Sequence, residues 1–372
     1  MTVAVNGMQC YVITYLRPLY SHTDIRTMRT RLYKQHCFTV AEYPIALHWS
    51  PDGRWLAVGI ATGDIHLIDP SRPRRAIHLA AHADGLLGLA WQPIGPGLLA
   101  SGGQDGQVRL WRPGIERPHT ELAAPARWVE QLAWRADGDA LALAGGRRVV
   151  CLDAAGHQRW EAAPLPGTVS GLAWRPGGEL LAGTHGGIHR LSGDTGSSLA
   201  WLAWEGALLN LSLSPDDRVV ASSCQDHSVH FWYLANGSDA QMGGYPHKPM
   251  ALAWHPRTLW LATSGAEAAV LWPFEGPGPE GLPPLELHYH GAPLGALAFS
   301  QDGDHLATGC RAGEVAVWTL RDGKRILDVV ELSGAIAHLA WCRRQDGDWL
   351  ATATGTGEVH VLRLGGAGDP QH

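Results

Sequence analysis

The sequence predicts an all-β fold built from repeated four-strand sheets set around an axis. Three observations predict it. A short apolar run ending in a large anchor, usually Trp, recurs eight times. A turn of the Pro-Asp-Gly kind follows most anchors. A second run of Leu-Ala plus small residues follows the turn. A fixed period of about 40 residues made of short strands is the mark of a radial β-repeat.

The anchors are Trp49, Trp91, Trp134, Trp174, Leu213, Trp254, Phe299 and Trp341, spaced by 42, 43, 40, 39, 41, 45 and 42 residues. The turns read Ser50-Pro51-Asp52-Gly53, Arg135-Ala136-Asp137-Gly138, Arg175-Pro176-Gly177-Gly178, Ser214-Pro215-Asp216-Asp217 and Ser300-Gln301-Asp302-Gly303. Pro presets φ, Asp caps the turn locally and Gly accepts positive φ, so these are hairpin connections. The second strands carry Leu56-Ala57, Leu99-Ala100, Leu141-Ala142, Leu181-Ala182, Val220-Ala221, Leu261-Ala262, Leu306-Ala307 and Leu350-Ala351. The third strands end at Ile68, Trp111, Leu152, Leu191, Trp232, Trp272, Trp318 and Leu362. A fourth strand is expected between units, at 75–79, 120–123, 159–162, 199–203, 240–243, 285–289 and 326–331. The last unit has no such segment after it. A strand near 37–43 is therefore expected to pair with it and close the ring, which removes exposed edges.

These residues resemble the WD-repeat (WD40) β-propeller family, over roughly residues 37–364. The resemblance implies a single propeller of four-strand antiparallel blades. Eight complete units argue for eight blades; seven, the commoner number in that family, would need one unit ejected. In that family a His before the first strand, a Ser or Thr on the second, an Asp in the next turn and a Trp on the third form a hydrogen-bonded group. The second unit matches at His82, Asp105 and Trp111, with Gly103 where the hydroxyl is expected. The fifth keeps Asp226 and Trp232, with Cys224 at the hydroxyl position and Trp204 at the His position. The seventh keeps His290 and Trp318, with Ala312 in place of the Asp. Elsewhere the group is mostly gone, and stability is expected to rest on Trp and Leu packing.

The 372 residues would ordinarily suggest two or three domains, but one propeller uses nearly all of them. The expected organisation is a non-repeat, poorly ordered extension over 1–35, the propeller over 36–364 and a disordered tail over 365–372. The extension lacks a secretory signal. It carries Arg26, Arg29, Arg31 and Lys34, which fit a flexible arm, a partner-binding tail or true initiation at Met28. A formal net charge of −6 with 17% charged residues argues against a nucleic-acid binder. No apolar run approaches a membrane span. The six cysteines (10, 37, 151, 224, 310 and 342) show no CxxC spacing, so free thiols in a reducing cytoplasm are expected.

Histidine is enriched, at 20 residues. His288 and His290 share a strand face and are weak metal candidates. His227 with His230, and His185 with His189, lack metal-motif context. His66, His189, His230 and His360 stand two residues before the third-strand anchor in four units; they are expected to fill polar niches between blades, too far apart to share one metal. No HExxH or G-x-S-x-G occurs. The Gly-rich stretches at 101–103 and 144–146 lie at strand ends without a following helix, and Asp216-Asp217 is a solvated turn pair. No catalytic residue and no cofactor are expected.

The resemblance implies that partners dock on the loops entering the first strand and joining the second to the third. Those loops offer Trp128, Glu130, Arg147, His185, Trp204, Gln225, Lys248, Met250, Glu267 and Arg311. Trp and Arg dominate interface energetics, although Trp128 and Trp204 equally suit inward packing. The leading reading is a monomeric, non-catalytic protein-interaction scaffold. The alternative is an accessory protein in zinc homeostasis using surface His, and a sugar- or quinone-dependent propeller enzyme is a distant third.

Overall fold

In the computed structural model, eight antiparallel sheets follow the eight repeats in order. The description covers residues 3–5, 8–12, 31–73, 75–95, 97–124, 126–276, 278–321 and 324–365, with backbone alone for 3–5 and 8–12. Arg26, Met28, Arg29 and the tail from 366 onward lie outside the described residues.

Blade 1 is formed by Pro44–Trp49, Leu56–Ile60, Asp64–Ile68 and Ile77–Ala80. Blade 2 has Leu86–Trp91, Leu99–Gly103, Gln107–Trp111 and Thr120–Ala123. Blade 3 has Gln131–Trp134, Ala140–Gly145, Arg148–Asp153 and Gln158–Glu161. Blade 4 has Val169–Trp174, Leu180–Leu191 and Ser198–Ala207. Its middle segment turns at Gly186 and Gly187 (φ +99° and +129°); the first half pairs with 169–174 and the second with 198–207. Blade 5 has Ser212–Leu213, Val219–Ser223, Val229–Tyr233 and Asp239–Gly243. Blade 6 has Leu252–Trp254, Trp260–Thr263, Ala268–Pro273 and Leu285–His288. Blade 7 has Leu294–Phe299, His305–Cys310, Glu314–Thr319 and Arg325–Glu331. Blade 8 has Ile336–Arg344, Gly347–Thr354, Glu358–Leu364 and, from the other end of the chain, Leu32–Thr39. The fold is an eight-bladed β-propeller, and the expected fourth strands are all present.

The chain divides into two compact units, 41–213 and 1–40 with 214–372. Within the second, Leu32–Thr39 runs antiparallel to Glu358–Leu364, pairing Leu32 with Leu364 and Cys37 with His360. The pairing strand thus starts at Leu32 rather than near 37 and ends before Tyr43. The Asp328 carboxylate fixes its start by accepting the backbone N–H groups of Arg31 (2.6 Å) and Leu32 (2.7 Å). Strands Val3–Val5 and Met8–Val12 form a hairpin in the same unit, and the latter runs parallel to Asp239–Gly243.

The Leu-Ala pair explains how blades stack. Successive strand residues face opposite sides of a sheet. Leu99 joins the core shared by blades 1 and 2, whereas Ala100 joins the core shared by blades 2 and 3. Leu141 and Ala142 divide in the same way, as do Leu261 and Ala262, and Leu306 and Ala307. In these four blades leucine faces the preceding blade and alanine the following one; in blade 4 Trp174 pairs with Leu180 rather than Leu181, and Ala182 faces the preceding blade instead. The third-strand residues Trp111, Trp272 and Trp318 lie on the leucine side, essentially buried.

The first-strand anchors do more than fill space. The indole N–H of Trp91 donates to the carbonyl of His48 (3.1 Å), Trp134 to Ala90 (3.1 Å), Trp174 to Ala133 (2.9 Å) and Trp341 to Ala298 (3.0 Å). Each acceptor immediately precedes the preceding blade's anchor, so the repeat ties blade to blade through one recurring bond.

The hydrogen-bonded group within blades differs from expectation. In blade 2 the hydroxyl is Ser101, not position 103: it lies 2.9 Å from His82 Nε2 and accepts from Trp111 Nε1 at 2.9 Å, while Asp105 meets His82 Nδ1 at 2.9 Å. Ser101 is one side-chain alternation before Gly103 and so shares its face. Gly103 is needed for closeness, since a Cβ there would stand 2.3 Å from the His82 ring. In blade 7, Thr308 takes the hydroxyl role (2.7 Å from His290, 3.0 Å from Trp318), and Glu314 supplies the carboxylate that Ala312 does not (3.3 Å). Blade 6 has a set unforeseen from sequence, in which Trp272 donates to the Tyr245 hydroxyl at 2.7 Å, itself 2.7 Å from Thr263 Oγ1. In blade 5 the hydroxyl on the equivalent face is Ser222 rather than Cys224, and the Trp232 indole N–H finds no acceptor among the described residues.

Two stability predictions follow from these bonds. Trp134→Phe removes one blade-to-blade bond and should lower unfolding free energy by about 1 kcal/mol, read by urea titration. Tyr245→Phe deletes one oxygen and strands the buried Trp272 indole N–H, while Thr263 keeps its bond to the Val270 carbonyl, and it should cost more, about 2 kcal/mol, in the same assay.

Candidate functional site

The loops entering first strands sit on the turns between second and third strands of the preceding blade. His82 N–H donates to Gly63 O (2.9 Å), Val129 to Gly103 (2.9 Å), Val169 to Gly146 (2.8 Å) and Leu294 to Ala266 (2.9 Å), whereas His247 donates to Gly265 (3.0 Å) in the turn of its own blade. Gly63 shows why the sequence folds this way: φ is +111°, and a Cβ would stand 1.7 Å from the His82 carbonyl. The main chain is satisfied by the framework, which leaves the side chains of these loops free to vary.

In the unit 41–213, this end of the blades carries Trp128, Glu130, Arg147 and His185, all exposed. Trp128 keeps 39% of its surface and lies over Gly146. Arg147 bridges to the next loop by donating from Nε to the Leu165 carbonyl (2.5 Å). Trp204 does not join them from a loop. It lies half-buried inside the strand Ser198–Ala207, which runs longer than the fourth strand of any other blade in that unit. In the unit 1–40 with 214–372, Gln225, Met250, Glu267 and Arg311 are exposed at the corresponding loops, Met250 at 54%, and Lys248 is half-buried.

Two further exposed features were not read from sequence. Leu199 (57%) and Trp201 (59%) project from the outer strand of blade 4. At the other end of blades 1 and 2, a groove of about 540 Å³ is lined by Pro51, Arg54, Trp55, Trp91, Pro93 and Ile94, with the Arg54 guanidinium over the Trp55 ring (5.5 Å). The extra length of the first turn in blade 2, from Gln92 to Leu98, was the available signal.

Each histidine of the row meets a neighbour on the outer strand of its own blade. His66 meets His78 (5.2 Å between rings), His189 stacks on Trp201 (6.1 Å, 6°), His230 Nε2 lies 2.8 Å from Asp239 and His360 3.9 Å from Cys37 Sγ. Every partner is on the fourth strand of the same blade. His288 pairs with Glu286 at 2.8 Å, whereas His290 turns inward to Thr308 and Glu314. The two weak metal candidates therefore do not converge. Cys37, Cys151, Cys224, Cys310 and Cys342 form no disulfide among the described residues.

Burial sets the titration of these groups. It lowers His66, aided by His78, and lowers His189; it pushes His230 down to about 3. It pushes the Cys151 thiol up to about 11. Burial would raise Asp105, but Arg109 and His82 outweigh it and hold that carboxyl below its ordinary value. A buried neutral His favours the folded state above the unfolded pKa, and that advantage is lost as pH falls below about 6.5 toward the folded value. Between pH 7 and pH 5 the protein should lose stability, with about 1–2 kcal/mol traceable to His230. His230→Gln should flatten the urea-midpoint profile over that window.

Three comparisons bear on identity. The model for the WD domain, G-beta repeat, matches residues 202–233 and 282–319, and that for the anaphase-promoting complex subunit 4 WD40 domain matches 25–94. Telomerase protein component 1 of Mus musculus is 30% identical over 114 residues, 31% of this chain and 4% of the relative. A probable cytosolic iron-sulfur protein assembly protein 1 of Cryptococcus neoformans is 40% identical over 78 residues, 16% of this chain and 18% of the relative. Apoptotic protease-activating factor 1 of Rattus norvegicus is 34% identical over 87 residues, 23% of this chain and 7% of the relative. The chain thus spans less than a fifth of the length of these relatives. The crystal structure of the computationally designed Ika8 protein superposes with a TM-score of 0.74 at 18% identity, covering 89% of this chain and all of that one, and shows the fold alone. Together with the eight blades, the repeat matches support a WD40-repeat β-propeller.

Proposed function

We propose that the protein is a non-catalytic interaction scaffold that binds a protein or peptide through the entry-loop ends of its blades. The observation that carries this reading is the exposure of Trp128 in one unit and Met250 in the other, in loops whose main chain is already satisfied by neighbouring turns. An exposed indole beside Glu130 and Arg147 offers the mixed aromatic and charged chemistry that dominates binding energetics. The buried titratable groups support the non-catalytic part: His82, Asp105 and Arg109 satisfy one another inside blade 2, as His290 and Glu314 do inside blade 7. Cysteines without a disulfide among the described residues fit a reducing compartment, and the protein acts there as a monomer.

The test uses affinity capture with mass spectrometry from the native cell, followed by binding measurements on the captured partner. Trp128→Ala and, separately, Met250→Ala with Arg311→Ala should leave the urea midpoint unchanged. At least one should weaken binding about 30-fold or more, the loss of one dominant contact. Full binding by all three substitutions together would reject the assigned face.

A further inference from the structure

We propose that His290, Cys310 and Glu314 of blade 7 form a binding site for a single zinc(II) ion, independent of the partner-binding reading. The three residues come from the entry loop, the end of the second strand and the start of the third, and their donor atoms all lie within 4.8 Å of one another. Glu314 Oε2 is 3.3 Å from His290 Nδ1 and 3.3 Å from Cys310 Sγ. A tetrahedral zinc with bonds to nitrogen, oxygen and sulfur at the usual lengths separates its ligands by about 3.3–3.8 Å. Two of the three separations already meet that geometry.

Comparison with blade 2 shows what changed. Gly103, Asp105, Gln107 and Arg109 correspond to Cys310, Ala312, Glu314 and Ala316 by strand register. In blade 2 the Arg109 guanidinium supplies the positive charge, 2.8 Å from both Asp105 and His82 Nδ1. Blade 7 has Ala316 at that position. The ion-pair partner that Glu314 has among the described residues is His290, at 3.3 Å. Glu331 also stands directly across the strands from Glu314, and like charges so placed repel. The cation has been lost while a thiol has been gained.

The remaining parts suit a metal. His290 Nε2 is 2.7 Å from Thr308 Oγ1, so the ring is oriented from behind with Nδ1 toward Glu314. Cys310 is fully buried, and its thiol donates to Glu314. Zinc binding displaces that proton to solvent and leaves a thiolate, so affinity should rise with pH. Glu314 keeps 16% of its side chain exposed, which leaves a solvent side for a fourth ligand.

The experiment is cobalt(II) titration of the full chain after chelator treatment, with zinc as competitor. Wild type should bind one cobalt per chain, with a thiolate-to-cobalt band in the near ultraviolet that zinc abolishes. Cys310→Ser should lose the band, and Glu314→Gln, which keeps the size and hydrogen-bonding reach of the side chain, should weaken cobalt binding at least about tenfold. Absence of the band in wild type, or an undiminished band in Cys310→Ser or undiminished affinity in Glu314→Gln, overturns the proposal.

Discussion

An indole N–H taken out of water must find an acceptor, and the repeat is organised around that requirement. A first-strand tryptophan finds it in the preceding blade, at the carbonyl just before that blade's own anchor, as Trp134 does at Ala90. The third-strand Trp111, Trp272 and Trp318 find it inside their own blades, at a hydroxyl held by His82 or His290 or at the Tyr245 hydroxyl itself. The first bond sets the spacing between sheets. The second fixes how the entry loop crosses its blade, and with it the loop side chains offered to a partner.

The blades divide by how they meet the second requirement. Blades 2, 6 and 7 carry polar sets: His82, Ser101 and Trp111; Tyr245, Thr263 and Trp272; His290, Thr308 and Trp318. Blade 4 has Leu165, Ala182 and Leu191 at those places, all buried in one core, and the sequence equivalents before and within blade 1 are Val40, Val58 and Ile68. In these blades the set is polar throughout or apolar throughout. A partly satisfied buried network is worse than either. Blades 5 and 8 are mixed, and there the Trp232 indole and the Thr352 hydroxyl find no partner among the described residues.

Most of the fold was legible because its signals are local. Anchor spacing, Asp-Gly turns and Leu-Ala alternation each report strand length and face without knowledge of the neighbours. The polar sets were only half legible. His82, Tyr245 and His290 all stand nine residues before their anchors, but a search that demanded histidine passes over Tyr245. Ser101 was missed for Gly103 because the choice between them is a choice of strand register, which tertiary pairing decides. Trp204 was read as a loop residue because the outer strand of blade 4 runs on to Ala207. Glu314 was invisible because it acts from the position of Gln107, two residues past the turn that normally holds the acid. The exposed Trp128, Met250 and Arg311 were placed correctly on loops; what they bind depends on a partner that lies outside this sequence.

The claim that the polar set stands or falls as a unit is tested most directly by a mutant cycle in blade 2, which converts His82, Ser101 and Trp111 to the Val, Val and Ile of blade 1. Urea unfolding of each single variant and of the triple gives the coupling energy. The account predicts that the triple variant loses several kcal/mol less than the sum of the three singles, because no buried partner is left stranded. Additive losses would contradict it, and would mean that each residue contributes through its own packing alone.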